Sequence, residues 1–142
     1  MRKVTPVYVL DTSAVMAFIE EENGADIIEE LLEQAKLGNA IIILSFMTFM
    51  EVYYISLKER GEDEARERLE LMKSLPFLRV DSTEAMGLIA SRIKARFSLS
   101  VADAWIAALA KQRNAILVHK DPEFEQIEPE IQALKLPYKP KT

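Results

Sequence analysis

A three-layer α/β/α sandwich around a central, mostly parallel sheet is the α/β fold class that this sequence predicts, and three observations predict it. Strand-like runs alternate with helical stretches along the chain. The strand runs are continuously apolar, which suits burial on both faces of a sheet rather than on one. The length of 142 residues is most economically one domain, 1–142, with a single sizeable core.

The elements follow in order. Val7-Tyr8-Val9-Leu10 is a short β-branched and aromatic run, read as a buried strand. A helical stretch then starts near Ser13 and fades near Asn23-Gly24. Ala25 to Leu37 puts Ile27, Ile28, Leu31, Leu32 and Ala35 on one stripe, and Gly38-Asn39 stops it. Ile41 to Leu44 is the second strand. Ser45 can cap a helix reaching about Arg60, with Gly61 just beyond. A charged helix from about Asp63 to Ser74 follows, and its Glu64 to Glu70 run reads as a solvated face. Pro76 precedes a third strand, Phe77 to Val80. Asp81 and Glu84 have capping-box spacing ahead of a helix to about Arg96. Ser100 opens an alanine-rich helix, Val101 to Arg113, which Asn114 ends. Ala115 to Val118 is the fourth strand, and a last short one falls at Ile131 to Lys135.

Composition narrows the function. With 49% hydrophobic and 29% charged residues, the chain reads as soluble and globular. No apolar run approaches the ~20 residues that span a bilayer. Arg2 and Lys3 are followed too soon by Asp11 for a secretory leader. The absence of cysteine excludes disulfides and thiolate zinc sites, and makes the cytoplasm the expected location. A metal site must then be built from oxygens, which suits hard cations such as Mg²⁺ or Mn²⁺. The net charge of −5 argues against an avid, generic nucleic-acid binder. It leaves room for a nuclease, because carboxylates that hold cations are themselves negative.

Right-handed crossovers bring strand C-termini and helix N-termini to one edge of a parallel sheet, where ligands bind in open α/β sheets. Four acids fall on that edge. Asp11 follows the first strand directly, and Asp121 lies three positions past Val118. Asp103 is in the first turn of its helix, and Glu51 in the second turn after the second strand. Each aspartate could instead cap a helix. Glu51 is harder to dismiss. The helix from Phe46 to Ile55 is apolar nearly all round and offers no Arg or Lys within a turn of it. An ionised glutamate buried there would cost several kcal/mol without a compensating partner or metal. Asp103 is likewise the only ionisable group between Leu99 and Ala110. Carboxylates gathered on one rim repel, and divalent cations are their natural neutraliser.

These residues carry a resemblance to the PIN-domain ribonucleases, especially the toxins of VapBC toxin–antitoxin pairs. It runs from Val9 to about Phe124. It rests on Val9-Leu10-Asp11-Thr12-Ser13-Ala14, on Glu51, on Leu99-Ser100-Val101-Ala102-Asp103-Ala104 leading into Ile106 to Ala110, and on Leu117-Val118-His119-Lys120-Asp121-Pro122-Glu123-Phe124. One position departs. Members usually carry Thr or Ser two before the last aspartate, where the hydroxyl helps order the site, and here that residue is His119.

The resemblance implies hydrolysis of RNA phosphodiester bonds with one or two Mg²⁺ or Mn²⁺ ions. Asp11 and Asp103 would be the central ligands, Glu51 would bind or orient, and Asp121 would complete the site. Ser13 and Thr12 would support Asp11 by hydrogen bonds. Lys120, Arg92, Lys94 and Arg96 could touch an RNA backbone, although solvation is the plainer reading of each. The resemblance also implies a homodimer and an antitoxin segment that occupies the acidic groove. The apolar start of the Phe46–Arg60 helix, or the helix beginning near Ser82, would supply the dimer surface. Two rivals stand beside this reading. One is a catalytically silent interaction module with the same fold. The other is a phosphatase with Asp11 as nucleophile, for which a second aspartate is wanted where Ser13 stands.

Overall fold

The computed structural model describes residues 4–140. Five parallel strands form one sheet in the order β3-β2-β1-β4-β5. They are β1 (Val7–Leu10), β2 (Ile41–Ser45), β3 (Phe77–Val80), β4 (Ile116–His119) and β5 (Gln132–Lys135). The helices are α1 (Thr12–Ile19), α2 (Ala25–Lys36), α3 (Phe46–Arg60), α4 (Glu62–Ser74), α5 (Glu84–Arg96) and α6 (Val101–Arg113). A short 3₁₀ helix, Pro122–Ile127, lies in the crossover from β4 to β5. The three-layer α/β sandwich and its parallel sheet are as expected.

The continuous apolarity of the strands has a direct cause. Side chains alternate between the faces of the sheet, and each face is covered. Val9, Ile43 and Leu117 enter a core with Met86, Ala90 and Ile93 of α5, the buried residues of α6, and Phe124 and Ile127. Leu10, Ile42, Leu44 and Val118 enter a second core with residues of α1, α2 and α3, Met72 of α4, and Leu136. Both faces are therefore dry, and a polar residue in β1 or β4 would be buried on either side.

Several boundaries differ from the expectation. α1 ends at Ile19, well short of Asn23-Gly24, and Glu21 takes φ 54° in the turn that follows. Gly24 then adopts φ +102°, and a Cβ there would lie 3.0 Å from the Cβ of Leu136. Only glycine lets the turn pass so close to the C-terminal segment. α5 is capped by Thr83, whose Oγ1 accepts the Met86 N–H at 3.1 Å, rather than by Asp81. Asp81 instead accepts from Arg79 Nε at 2.8 Å. Among the described residues no helix is long and apolar enough to cross a membrane.

Candidate active site

Parallel pairing of β2, β1 and β4 puts their C-terminal ends side by side. Asp11 continues β1, its N–H donating to Val118 O at 3.0 Å. Its side chain turns back to cap α1, with Oδ1 accepting the Ala14 N–H at 2.8 Å. Ser13 Oγ lies 2.8 and 2.7 Å from the two Asp11 oxygens and accepts the Lys120 N–H at 2.9 Å. One hydroxyl thus ties the end of β1 to the segment after β4. Ser13 thus bonds Asp11, whereas the Thr12 hydroxyl turns to another acid. Thr12 Oγ1 donates to Glu51 Oε1 at 2.6 Å, because the first turn of α1 faces α3 there.

Asp103 sits in the first turn of α6, whose cap Ser100 accepts the Asp103 N–H at 3.1 Å. Asp121 precedes the 3₁₀ helix, and its Oδ1 accepts the Glu123 N–H at 2.9 Å. Asp103, Asp121 and Glu123 each present a carboxylate oxygen, all within 4.8 Å of one another. The sequence reading missed Glu123. Pro122 starts a tight helix after Asp121, and that turn brings Glu123 back to the rim.

Asp11 and Glu51 fall outside that trio, and their charges interact with it. Burial pushes the Asp11 carboxyl up to about 7; hydrogen bonds from Ser13 and Ala14 oppose this, and the charges of Asp103 and Asp121 add to it. Asp103 is raised to about 6, first by burial and then by Asp121, Glu51 and Glu123, with Ser100 opposing. Among the described residues no Lys or Arg forms an ion pair with any of these five acids. Five carboxylates without a counter-cation, two of them raised well above the usual carboxylate range, are a donor set suited to a hard divalent cation.

The cationic candidates fare less well. Lys120 is 8% exposed, with Nζ 2.8 Å from Asn23 O and 3.6 Å from Glu22, so it holds the α1–α2 turn instead of facing a substrate. Arg92 and Lys94 are exposed, and Arg96 pairs with Glu130 at 2.9 Å, in keeping with their reading as solvated residues. His119 ends β4 fully buried, and burial holds its pKa below the usual value.

The family model of the PIN domain matches residues 8–129, and the chain belongs to the PIN-domain family. No curated protein matches it. Among solved structures it is similar to VapBC2 from Rickettsia felis, bound to a promoter DNA fragment, with TM-score 0.76 and 20% identity over 92% of this chain and 99% of that one. VapBC from Salmonella typhimurium, bound to DNA, gives TM-score 0.73 and 20% identity over 92% and 98%. Mycobacterium tuberculosis VapC20, described as a sarcin–ricin-loop-cleaving toxin, gives 0.63 and 15% over 84% and 93%. At these identities the likeness establishes the fold.

Proposed function

We propose that this chain is an endoribonuclease dependent on Mg²⁺ or Mn²⁺, and the toxin of a toxin–antitoxin pair. The observation that carries the reading is the gathering of Asp11, Glu51, Asp103, Asp121 and Glu123 at one sheet edge without a compensating cation. Family membership and the VapBC-like fold support it.

Asp11, Asp103 and Asp121 would hold the metal, with Glu123 as a further oxygen donor. A bound divalent cation would supply an acidified water and neutralise charge on the phosphate. Asp11, pushed up to about 7 by burial, would have to lose its proton to hold a cation, so binding would be coupled to proton release. Ser13 keeps the Asp11 carboxylate oriented. Glu51, steadied by Thr12, stands ready to bind or to orient a water. The protein partner would be an antitoxin whose cationic segment meets the acidic rim, which suits a chain of net charge −5.

Purified protein incubated with structured RNA should cleave it when Mg²⁺ or Mn²⁺ is present and stop when EDTA is added. Asp11→Asn should lose cleavage by a hundredfold or more, roughly the loss expected when a metal ligand goes. Cleavage that persists in metal-free protein with excess EDTA would overturn the metal mechanism. RNA left intact by well-folded, metal-loaded protein would favour the silent interaction module.

A further inference from the structure

His119 is an expensive residue where it stands. It is fully buried, and its Nε2 has no hydrogen-bond partner among the described residues. An unmet buried donor is destabilising, so packing alone would favour Phe or Leu at this position. The other ring nitrogen has a definite task. Nδ1 accepts the backbone N–H of Asp121 at 3.2 Å. An imidazole nitrogen that accepts carries no proton, which places the ring's proton on Nε2. A Ser or Thr hydroxyl can make the same bond to the amide two residues on, so the imidazole does the work of the hydroxyl by another group.

The ring cannot swing away from that amide. Phe124 lies on one side, ring centres 5.2 Å apart, and Tyr138 covers it at 6.3 Å with planes 29° apart. Tyr138 belongs to the segment after β5, which is fastened in three places. Leu136 N–H donates to His119 O at 2.8 Å, Tyr138 OH donates to Glu125 at 2.7 Å, and Lys139 pairs with Glu22 at 3.1 Å. Asp121 is therefore held from both sides: its N–H by His119, and its Oδ1 by the Glu123 N–H at 2.9 Å.

We infer that His119 is a positioning residue for Asp121, that Tyr138 clamps its ring, and that together they set the affinity of the acidic cluster for a divalent cation. The inference rests on the metal-site reading given above. It also makes the C-terminal segment a part of the site.

The test is calorimetric titration of the full chain with Mn²⁺, beside the thermal midpoint in EDTA. His119→Phe keeps the packing and removes the acceptor. It should weaken Mn²⁺ binding by about tenfold or more, the usual cost of losing a group that orients a ligand, while the metal-free midpoint holds or rises. Tyr138→Ala should weaken binding in the same direction. His119→Asn, whose side-chain oxygen can accept the same N–H, should stay within about threefold of the wild type. His119→Phe binding as tightly as the wild type, or His119→Asn binding as weakly as His119→Phe, would overturn the inference. Unchanged binding in Tyr138→Ala would remove the clamp from it. Should His119→Phe fail to fold, the ¹⁵N spectrum of the wild-type ring decides, and a protonated Nδ1 would overturn it. Wild-type protein that binds no Mn²⁺ would refute the metal reading itself, a result distinct from all of these.

Discussion

Asp11 caps α1 through Oδ1 and yet stands only 2% exposed among other carboxylates, so in metal-free protein its charge costs more than its cap returns. The sign of the pH dependence follows. Its carboxyl has the ordinary value of 3.8 when unfolded and is pushed up to about 7 by burial in the folded chain. Between those values the folded state holds a proton that the unfolded state has lost, so stability falls as pH rises and the full penalty is present above 7. Asp103, at about 6, adds to the same trend, and the two titrate as a coupled set. Asp11→Asn keeps a capping side chain and removes the charge. In EDTA at pH 8 it should be more stable than wild type by on the order of a few kcal/mol, with the gap closing toward pH 4. Asp103→Asn should shift the same way by less. Calorimetric melts across that range check this, and an Asp11→Asn variant that melts below wild type at pH 8 would leave Asp11 as a cap alone. Asp103 stood out in the sequence as an isolated charge in an apolar run, and Asp11 as the acid that directly follows the first strand. Glu123 did not, since an acid beside Pro122 at the start of an exposed turn looks like any solvated residue until Asp103 is placed opposite it.

Helices and strands were legible wherever the pattern was long and periodic, as in α2 and α6, and where a cap residue has one local job, as with Ser45 and Ser100. What stayed hidden depends on another element being near. The end of α1 is set by Gly24 meeting Leu136, far away in sequence. The Glu64 to Glu70 run read as a solvated face of α4, yet Arg68 is 6% exposed. Its guanidinium bonds Ser56 of α3 at 3.1 Å and pairs with Glu20, the C-cap of α1, at 3.3 Å. Arg68 thus fastens α4 to both elements that carry Thr12, Ser13 and Glu51. Arg68→Ala should cost on the order of 2 kcal/mol, less than a fully buried pair because Glu20 keeps some solvent contact. Arg66→Ala, which breaks only the exposed pair with Glu62, should stay within about 0.5 kcal/mol. Urea unfolding midpoints compare the two, and equal losses would mean that Arg68 is no tether.

At the scale of the whole molecule, the surface of α3 bears on assembly. The sequence suggested a helix apolar and buried nearly all round, but the structure sorts its large residues. Phe46 packs edge-on against Trp105 with ring centres 5.1 Å apart, Phe49 is buried beneath the Arg79 guanidinium, and Val52 is fully enclosed. Met50, Tyr54 and Leu57 are left 60%, 42% and 38% exposed. Their spacing of four and three residues aligns them in one stripe on the helix. Among the described residues nothing covers that stripe, and adaptable Met with amphipathic Tyr suits an interface. A two-fold dimer is the simplest closed assembly through one such patch. It would border the acidic rim, since Glu51 follows Met50 directly. Light scattering at micromolar concentration should therefore return twice the chain mass of 16.2 kDa. Tyr54→Lys should return a folded monomer, because the side chain is 42% exposed in the single chain and fills no core position. Leu88→Lys tests an exposed apolar position on α5, which is 52% exposed. A monomer from Leu88→Lys with Tyr54→Lys still dimeric would move the interface from α3 to α5. A wild-type protein of single-chain mass would overturn the dimer altogether.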